Sequence, residues 1–375
     1  MQTVIKKVTS ISEIEETWCA LQGTTNCGPF ISWMWICPWL ENMEANGQSV
    51  FLVEVRDDEN VVGLGLLYIA TLKRRVVFER DVVFLNEFPV EDYNMVIEYN
   101  GLLVKKEFLD EAWRSFLSEM KALPHWDELH LNAISPLAAP SIRRALQLHS
   151  NDLDCLLHSS ENVFFACLKN IGAWKEAQSL LLSKNKRAQV NRSMRSYRAK
   201  YGDELRCEVA KNTTEALHFF EELEKLHTMY WQGRNETGAF ANRQWVDFNR
   251  VIIQRSMSSN NVHLYRISVG EHVIGYLYNL VWEDTTYNIQ SGFNYEKDNR
   301  LKPGFVSHWL AMEDSFNRSI TQYNFLAGST HYKKSLSNHS EKIEYFVIRK
   351  KADRIKFLLE DTLVGVVRTL RRLRR

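Results

Sequence analysis

VHLYRISVGEHVIGYLYNLVWEDTTYNIQSGF, residues 262–293, reads as three strands joined by tight turns at Gly270-Glu271 and Glu283-Asp284. Turns this short imply antiparallel neighbours. The run that follows, RLKPGFVSHWLAMEDSF at 300–316, opens a helix whose Phe305, Trp309, Met312 and Phe316 recur at helical spacing and share one face. YNFLAG at 323–328 and IEYFVIRK at 343–350 add two further strands. Strand, strand, strand, helix, strand, helix, strand predicts a mixed α/β sheet with helices on its faces.

The loop at 300–306 is the chemically distinctive part of this run. Pro303 lacks the N–H that would be orphaned at a first helical position, and Gly304 permits close approach of the backbone. The helix start therefore directs amides and a positive dipole end at an anion, with Arg300 adding charge. Upstream, LRCEVA at 205–210 reads as a strand. A helix carrying Leu217, Phe220, Leu223, Leu226 and Tyr230 and a second around Trp245, Phe248 and Ile252 follow it.

The N-terminal half repeats this order. Helices near 14–21 and 32–43 precede the strands FLVEV and VVGLGLLYIA and a strand around 76–85. A helix at 107–121, the strand ELHLNAI, a helix from Ala139 and strands near Leu153 and Val163 complete it. Such a repeat of element order points to a tandem duplication. No Arg/Gly/Pro loop lies between Leu85 and Glu107, so the ligand site is expected in the second copy. Four parts are expected: 1–175, a basic connecting helix at 176–202, 203–350, and a basic amphipathic helix at 351–375.

The chain has 375 residues, of which 45% are hydrophobic and 25% charged, the balance of a soluble globular protein of two ordinary domains. A net charge of +1 marks no partner by global field, so basic sites must be local. No signal-like N-terminus and no run of about 20 apolar residues occurs, which points to the cytosol. Six cysteines without a CxxC pair read as reduced, mostly buried thiols. No metal is expected.

Two basic segments stand out. SLLLSKNKRAQVNRSMRSYRAKYG at 179–202 has seven Lys/Arg and no acid, and Val190, Met194, Tyr197 and Tyr201 give it one apolar face with which to dock. The C-terminus ends in Arg368, Arg371, Arg372, Arg374 and Arg375, which suits the end of a helix and also an anionic membrane surface or acidic carrier.

The residues LHTMYWQGR, GAF, GYLYNLVW, TYNIQSGF, RLKPGFVSHWLAMED and YNFLAGSTHYKKSLS, in that order, resemble the CelD-like branch of the GNAT acyltransferases, which is related to the Fem-type aminoacyl transferases. The resemblance implies two tandem GNAT-like domains, the first degenerate and the second binding the acyl donor. It implies acyl transfer to an amine from an acyl-CoA such as acetyl-CoA, or from acyl carrier protein. The implied donor-binding residues are Ser291, Gly292 and Phe293 where two strands part, and Arg300, Pro303, Gly304, Phe305 and Val306 at the loop. Tyr332 is the implied acid for the leaving thiolate and Lys333 the stabiliser of the oxyanion, with His331 and His308 as candidate bases. Trp231, Arg234, Tyr278, Asn288 and Gln290 are the expected acceptor ligands, Asn288 and Gln290 by projecting from one strand face. The acceptor class implied is an amino sugar or an envelope precursor on a glycan or lipid, with contact at the inner membrane face. Nucleic acid is not an expected partner. The alternatives are a Fem-type transferase using aminoacyl-tRNA and a catalytically silent scaffold, the latter favoured by the single glycine of the loop and by Asn324 where an acid is common.

Overall fold

A computed structural model of the protein describes residues 1–74, 78–87, 89–90, 93–94, 97–328, 331–353, 355 and 357. The five C-terminal arginines and most of the expected terminal helix lie outside the described residues. Two compact units are present: Met1–Glu161 together with the segment from Lys342, and Asn162–Glu341.

The first unit opens with β1 (Gln2–Lys7), α1 (Ile11–Gln22) and α2 (Trp33–Ala45). A meander of β2 (Val50–Asp57), β3 (Asn60–Arg74) and β4 (Phe78–Leu85) follows. After the short strands β5 (Pro89–Val90), β6 (Tyr93–Asn94) and β7 (Leu103–Val104) come α3 (Leu109–Ala122), β8 (Glu128–Ile134) and α4 (Ala139–Leu148). β4 and β8 pair in parallel from Val82↔Glu128 to Phe84↔His130. Beyond that point the chain fills the gap between them with its own backbone. The Asn100 N–H donates to the Ala133 carbonyl (2.9 Å), the Ser135 N–H to the Asn100 carbonyl (2.9 Å), and Asn100 Nδ2 to the Leu85 carbonyl (2.8 Å). In this unit the space between the parted strands is occupied by Asn100.

Glu87, two residues past β4, is buried and accepts from Asn132 Nδ2 (2.8 Å), while its Oε1 has no hydrogen-bond partner among the described residues. Burial pushes the carboxyl from 4.5 up to about 8. The folded state thus keeps a proton that the unfolded chain releases. Stability from this group is full below about pH 4.5 and is lost as pH rises through about 8, with a slope of up to ~1.4 kcal/mol per pH unit. Glu87→Gln is expected to flatten that decline, read as urea midpoints between about pH 5 and pH 8.

β9 (Leu153–Cys167) is one long strand where two were expected, because HSSEN at 158–162 is polar but holds no Gly or Pro to break it. Its end, from Asn162, belongs to the second unit. There follow α5 (Trp174–Leu181), α6 (Lys184–Tyr201), β10 (Leu205–Val209), α7 (Thr213–Gln232) and α8 (Arg243–Ser256). Asn212 and Asn242 cap α7 and α8 by accepting the N–H groups of Glu215 and Trp245, and Gly202 ends α6 at φ +69°. The meander β11 (Val262–Val269), β12 (His272–Trp282) and β13 (Thr285–Phe293) leads to α9 (Pro303–Asn317), β14 (Gln322–Ala327) and α10 (His331–Leu336).

This order repeats that of the first unit, so each is a GNAT-like mixed sheet with helices on its faces. The closing strands are exchanged along the chain. The end of β9 pairs antiparallel with β14, and β15 (His339–Lys350), which the sequence groups with the C-terminal half, pairs antiparallel with β8. The second core lies where α6 and α9 cover the sheet, with Val190, Tyr197, Leu277, Val306, Trp309 and Phe325 among its members. Met194 and Tyr201 pack against it, so α6 docks by the face expected. α9 differs from its one-faced reading, since residues 303–312 are all buried. All six cysteines are free, but only Cys27 is buried, so "mostly buried" does not hold. No described helix is long and apolar enough to cross a membrane.

Candidate active site

Lys302 is the N-cap of α9, and its N–H donates to Ser193 Oγ on α6 (2.8 Å), which ties the two helices together at the loop. Pro303 has no N–H, and the Val306 N–H returns to the Lys302 carbonyl (3.2 Å), so the first-turn amides of Gly304 and Phe305 are those without an intrahelical acceptor. Phe305 and Val306 contribute buried side chains, so only backbone is left there for an anion.

Arg300 does not supply the charge expected of it. Its Nη2 lies 2.8 Å from Asp298 Oδ2 and its Nε 3.1 Å from Oδ1, so the carboxylate two residues upstream neutralises it on an exposed turn. The charge comes instead from Lys302 and from Lys186 of α6, neither of which has a carboxylate partner among the described residues. Burial and the neighbouring Lys302 hold the Lys186 ammonium below its ordinary value. Lys186 Nζ donates to His331 Nε2 (3.1 Å). That bond uses the acceptor nitrogen of His331, and Lys186, then burial and Lys302, hold its imidazole below 6.5. His331 therefore sits with the cations at the helix start, in a poor position to accept a proton.

The strands part as expected. β13 and β14 pair from Thr285↔Gln322 only to Tyr287↔Asn324. Asn324 Oδ1 then accepts the N–H of Leu326 (2.8 Å), whose φ of +60° bends β14 away from its partner. Asn324 thus shapes the strand in place of the acid common at this position. Ser291, Gly292 and Phe293 lie on the stretch of β13 that pairs with β12 but no longer with β14.

A β-bulge corrects the reading of Asn288 and Gln290. Asn288 is opposite Asn279 and Gln290 opposite Tyr278, so Ile289 is the extra residue and the two side chains go to opposite faces. Tyr278 is wholly buried with its ring against Phe220 of α7, which makes it core in place of an acceptor ligand. Trp231 Nε1 donates to His227 Nε2 (2.9 Å), and the Arg234 guanidinium lies 4.5 Å over the Tyr230 ring. The other face of Tyr230 stacks on Tyr295 at 4.7 Å, which links this group to Phe293.

On the other face a buried polar chain runs through four elements. Asn288 Nδ2 donates to the Gln290 carbonyl (3.2 Å) and to Asn279 Oδ1 (2.9 Å), while its Oδ1 accepts from Ser291 Oγ (3.1 Å). A backbone carbonyl can only accept, so the Asn288 amide has one orientation and fixes that of Asn279 in turn. Asn279 Nδ2 then donates to the Tyr323 hydroxyl (3.2 Å), and the arrangement that leaves no hydroxyl hydrogen unused has Tyr323 donating to His308 Nδ1 (3.1 Å). His308 therefore carries its ring proton on Nε2, which is buried without an acceptor among the described residues. Burial, then the nearby Lys333, push this imidazole down to about 3, so it is neutral and a poor base. Tyr332 stacks on it at 4.8 Å. A Cβ on Gly304 would meet the Phe293 ring at 3.3 Å and that of Tyr332 at 3.7 Å, so the glycine makes room for these rings. Lys333 Nζ donates to the Ala327 carbonyl at the end of β14.

The structure thus brings Phe293, Gly304 and Tyr332 together with His308, sets Lys333 at the end of β14, and links Ser291 to Asn279 and Tyr323 through Asn288. Single polar residues inside apolar runs were the available signal for Asn279 and His308, whereas nothing in the loop motif pointed to Lys186. Among the described residues no cluster of three or more His, Cys, Asp or Glu is placed to hold a metal ion.

Comparison with known proteins agrees with this geometry. The family model for an acetyltransferase (GNAT) domain matches residues 184–334. No curated protein matches the sequence. The crystal structure of FemX is similar at a TM-score of 0.56 and 10% identity, covering 91% of this chain and 96% of that one. The C-terminal DUF2156 domain of an Agrobacterium fabrum protein assigned as a lysylphosphatidylglycerol synthetase is similar at 0.50 and 10% identity, covering 95% and 97%. Identities this low speak for fold alone. Residues 184–334, from the basic helix to the lysine pair of α10, thus match the model of a GNAT acetyltransferase domain, in a chain whose fold is similar to that of FemX.

Proposed function

We propose that the second unit is an N-acyltransferase that takes an acyl group from acyl-CoA and passes it to an amine. The observation that supports this reading is the proximity of a helix start with two ammonium groups that have no carboxylate partner among the described residues, Lys186 and Lys302, to two parted strands beside Tyr332 and Lys333. A diphosphate suits the first. An extended amide-bearing arm suits unpaired strand edges, and a phenol beside an ammonium suits thiolate protonation and oxyanion stabilisation. The acceptor proposed is an amine on an amino sugar or envelope precursor.

Thermal unfolding with acetyl-CoA, a longer acyl-CoA and free coenzyme A tests the donor. At a hundred times its dissociation constant a ligand adds about 2.7 kcal/mol to folded-state stability. Replacing Lys186 and Lys302 together by glutamate is expected to abolish the rise in midpoint, whereas Arg300→Ala leaves most of it. The reverse order would return the anion site to Arg300.

A second reading has its own observation. Arg187, Arg192 and Arg195 on α6 have no carboxylate partner among the described residues, as a face for an anionic carrier of the acyl group would require. Acyl carrier protein and aminoacyl-tRNA are the two carriers to test. For the tRNA, binding should fall steeply with salt and weaken in Arg192→Glu/Arg195→Glu.

A further inference from the structure

We infer that His308 is a catalytic hydrogen-bond donor whose Nε2–H receives the thioester oxygen as it becomes an oxyanion. The inference rests on the acyl-thioester reading above and adds a second, neutral donor to the oxyanion stabilisation that reading gives to Lys333.

The polar chain from the Gln290 carbonyl through Asn288, Asn279 and Tyr323 leaves the His308 ring one tautomer, with the proton on the nitrogen remote from Tyr323. The ring lies where the strands part. Its T-shaped ring contacts are Phe293, from the end of β13 that no longer pairs with β14 (5.8 Å, 75°), and Phe325, from β14 just past the last residue paired with β13 (5.3 Å, 75°). Tyr332 covers one face, and Tyr323 and Lys333 are the other titratable groups beside it. Here three buried polar residues are spent on orienting one N–H that has no acceptor. Because the imidazole is neutral, it can donate to a developing charge without holding a proton that would leave.

In the reaction the amine nitrogen bonds to the thioester carbon and the carbonyl π pair moves to oxygen, where the Nε2–H meets it. The carbonyl re-forms as the C–S bond breaks. The departing thiolate takes a proton from Tyr332, whose phenolate is restored by the proton the new amide nitrogen sheds. The imidazole keeps its own proton throughout, and an amide and a free thiol result.

Calorimetric titration with acetyl-CoA tests the donor reading, and the infrared stretch of carbonyl-labelled acetyl-CoA on the full chain tests this inference. The expected result is a stretch lowered on binding, the lowering lost in His308→Phe while affinity stays within about threefold, and turnover reduced roughly 100-fold. Nitrogen NMR should place the His308 proton on Nε2 across neutral pH. Should His308→Phe fail to fold, Tyr323→Phe decides: the ring loses its tautomer preference and the lowering should weaken. Failure to bind acetyl-CoA defeats the donor reading and the inference with it. Binding with an unshifted carbonyl, a shift that survives in His308→Phe or is undiminished in Tyr323→Phe, or a proton on Nδ1 overturns the inference alone.

Discussion

Gly292→Ala is expected to lower the thermal midpoint of the unit Asn162–Glu341 by roughly 6–12 °C, the equivalent of about 3 kcal/mol in a unit of that size. A Cβ at Gly292 would lie 2.5 Å from the carbonyl oxygen of Leu223 and 3.1 Å from its Cα, both backbone atoms of α7. Backbone cannot swing aside as a side chain can. Either α7 rises from the sheet, which uncovers Phe219 and Phe220 where they pack on Tyr276 and Tyr278, or β13 shifts and pulls Phe293 off Gly304. Gly28→Ala is the matched control. It has nothing within 4 Å and lies at φ −76°, so alanine there should be neutral or stabilise by about 0.4–1 kcal/mol. Equal midpoints for the two variants would mean that α7 is not held against β13 as described. The SGF motif thus has a packing reason for its glycine that is independent of any ligand.

The two meanings of Gly292 show where sequence reading works and where it stops. Alternation and helical spacing were enough to lay out the second unit from β10 to α10, since each element buries one face and turn residues separate them. Non-local choices were not accessible. The bulge at Ile289 adds one residue without disturbing the visible alternation of TYNIQSGF, yet it sends Gln290 and Asn288 to opposite faces. The exchange of β9 and β15 depends on which strand edge each apolar segment meets, and both segments carry the same β-rich composition. Arg300 was read as a free cation because a motif names the arginine and omits Asp298, while Lys186 reaches the site from a helix far back in the chain. Tyr332 and Lys333 came from family resemblance, and composition would have left them as a packed ring and a solvated ammonium.

Those two residues carry the second large effect. Tyr332→Phe and Lys333→Ala are each expected to reduce turnover by roughly 100- to 10,000-fold with acetyl-CoA binding nearly unchanged. Tyr332→Phe keeps the ring that stacks on His308 and shields Gly304, so its loss isolates the hydroxyl. Lys333→Ala removes an ammonium held by the Ala327 carbonyl, close to the bend that Asn324 makes in β14. The phenol and the ammonium differ in what they can supply, and the acidity of the leaving thiol separates them. An acid for the thiolate should leave activity toward acyl thioesters of low-pKa thiols largely intact in Tyr332→Phe, because such thiolates depart without a proton. A charge that stabilises the oxyanion is needed whatever the leaving group, so Lys333→Ala should stay slow with every thioester. If both variants turn over at the wild-type rate with their folds intact, the chemistry is not at this opening. If Tyr332→Phe is rescued and Lys333→Ala is not, the two side chains act at opposite ends of the same carbon–sulfur bond.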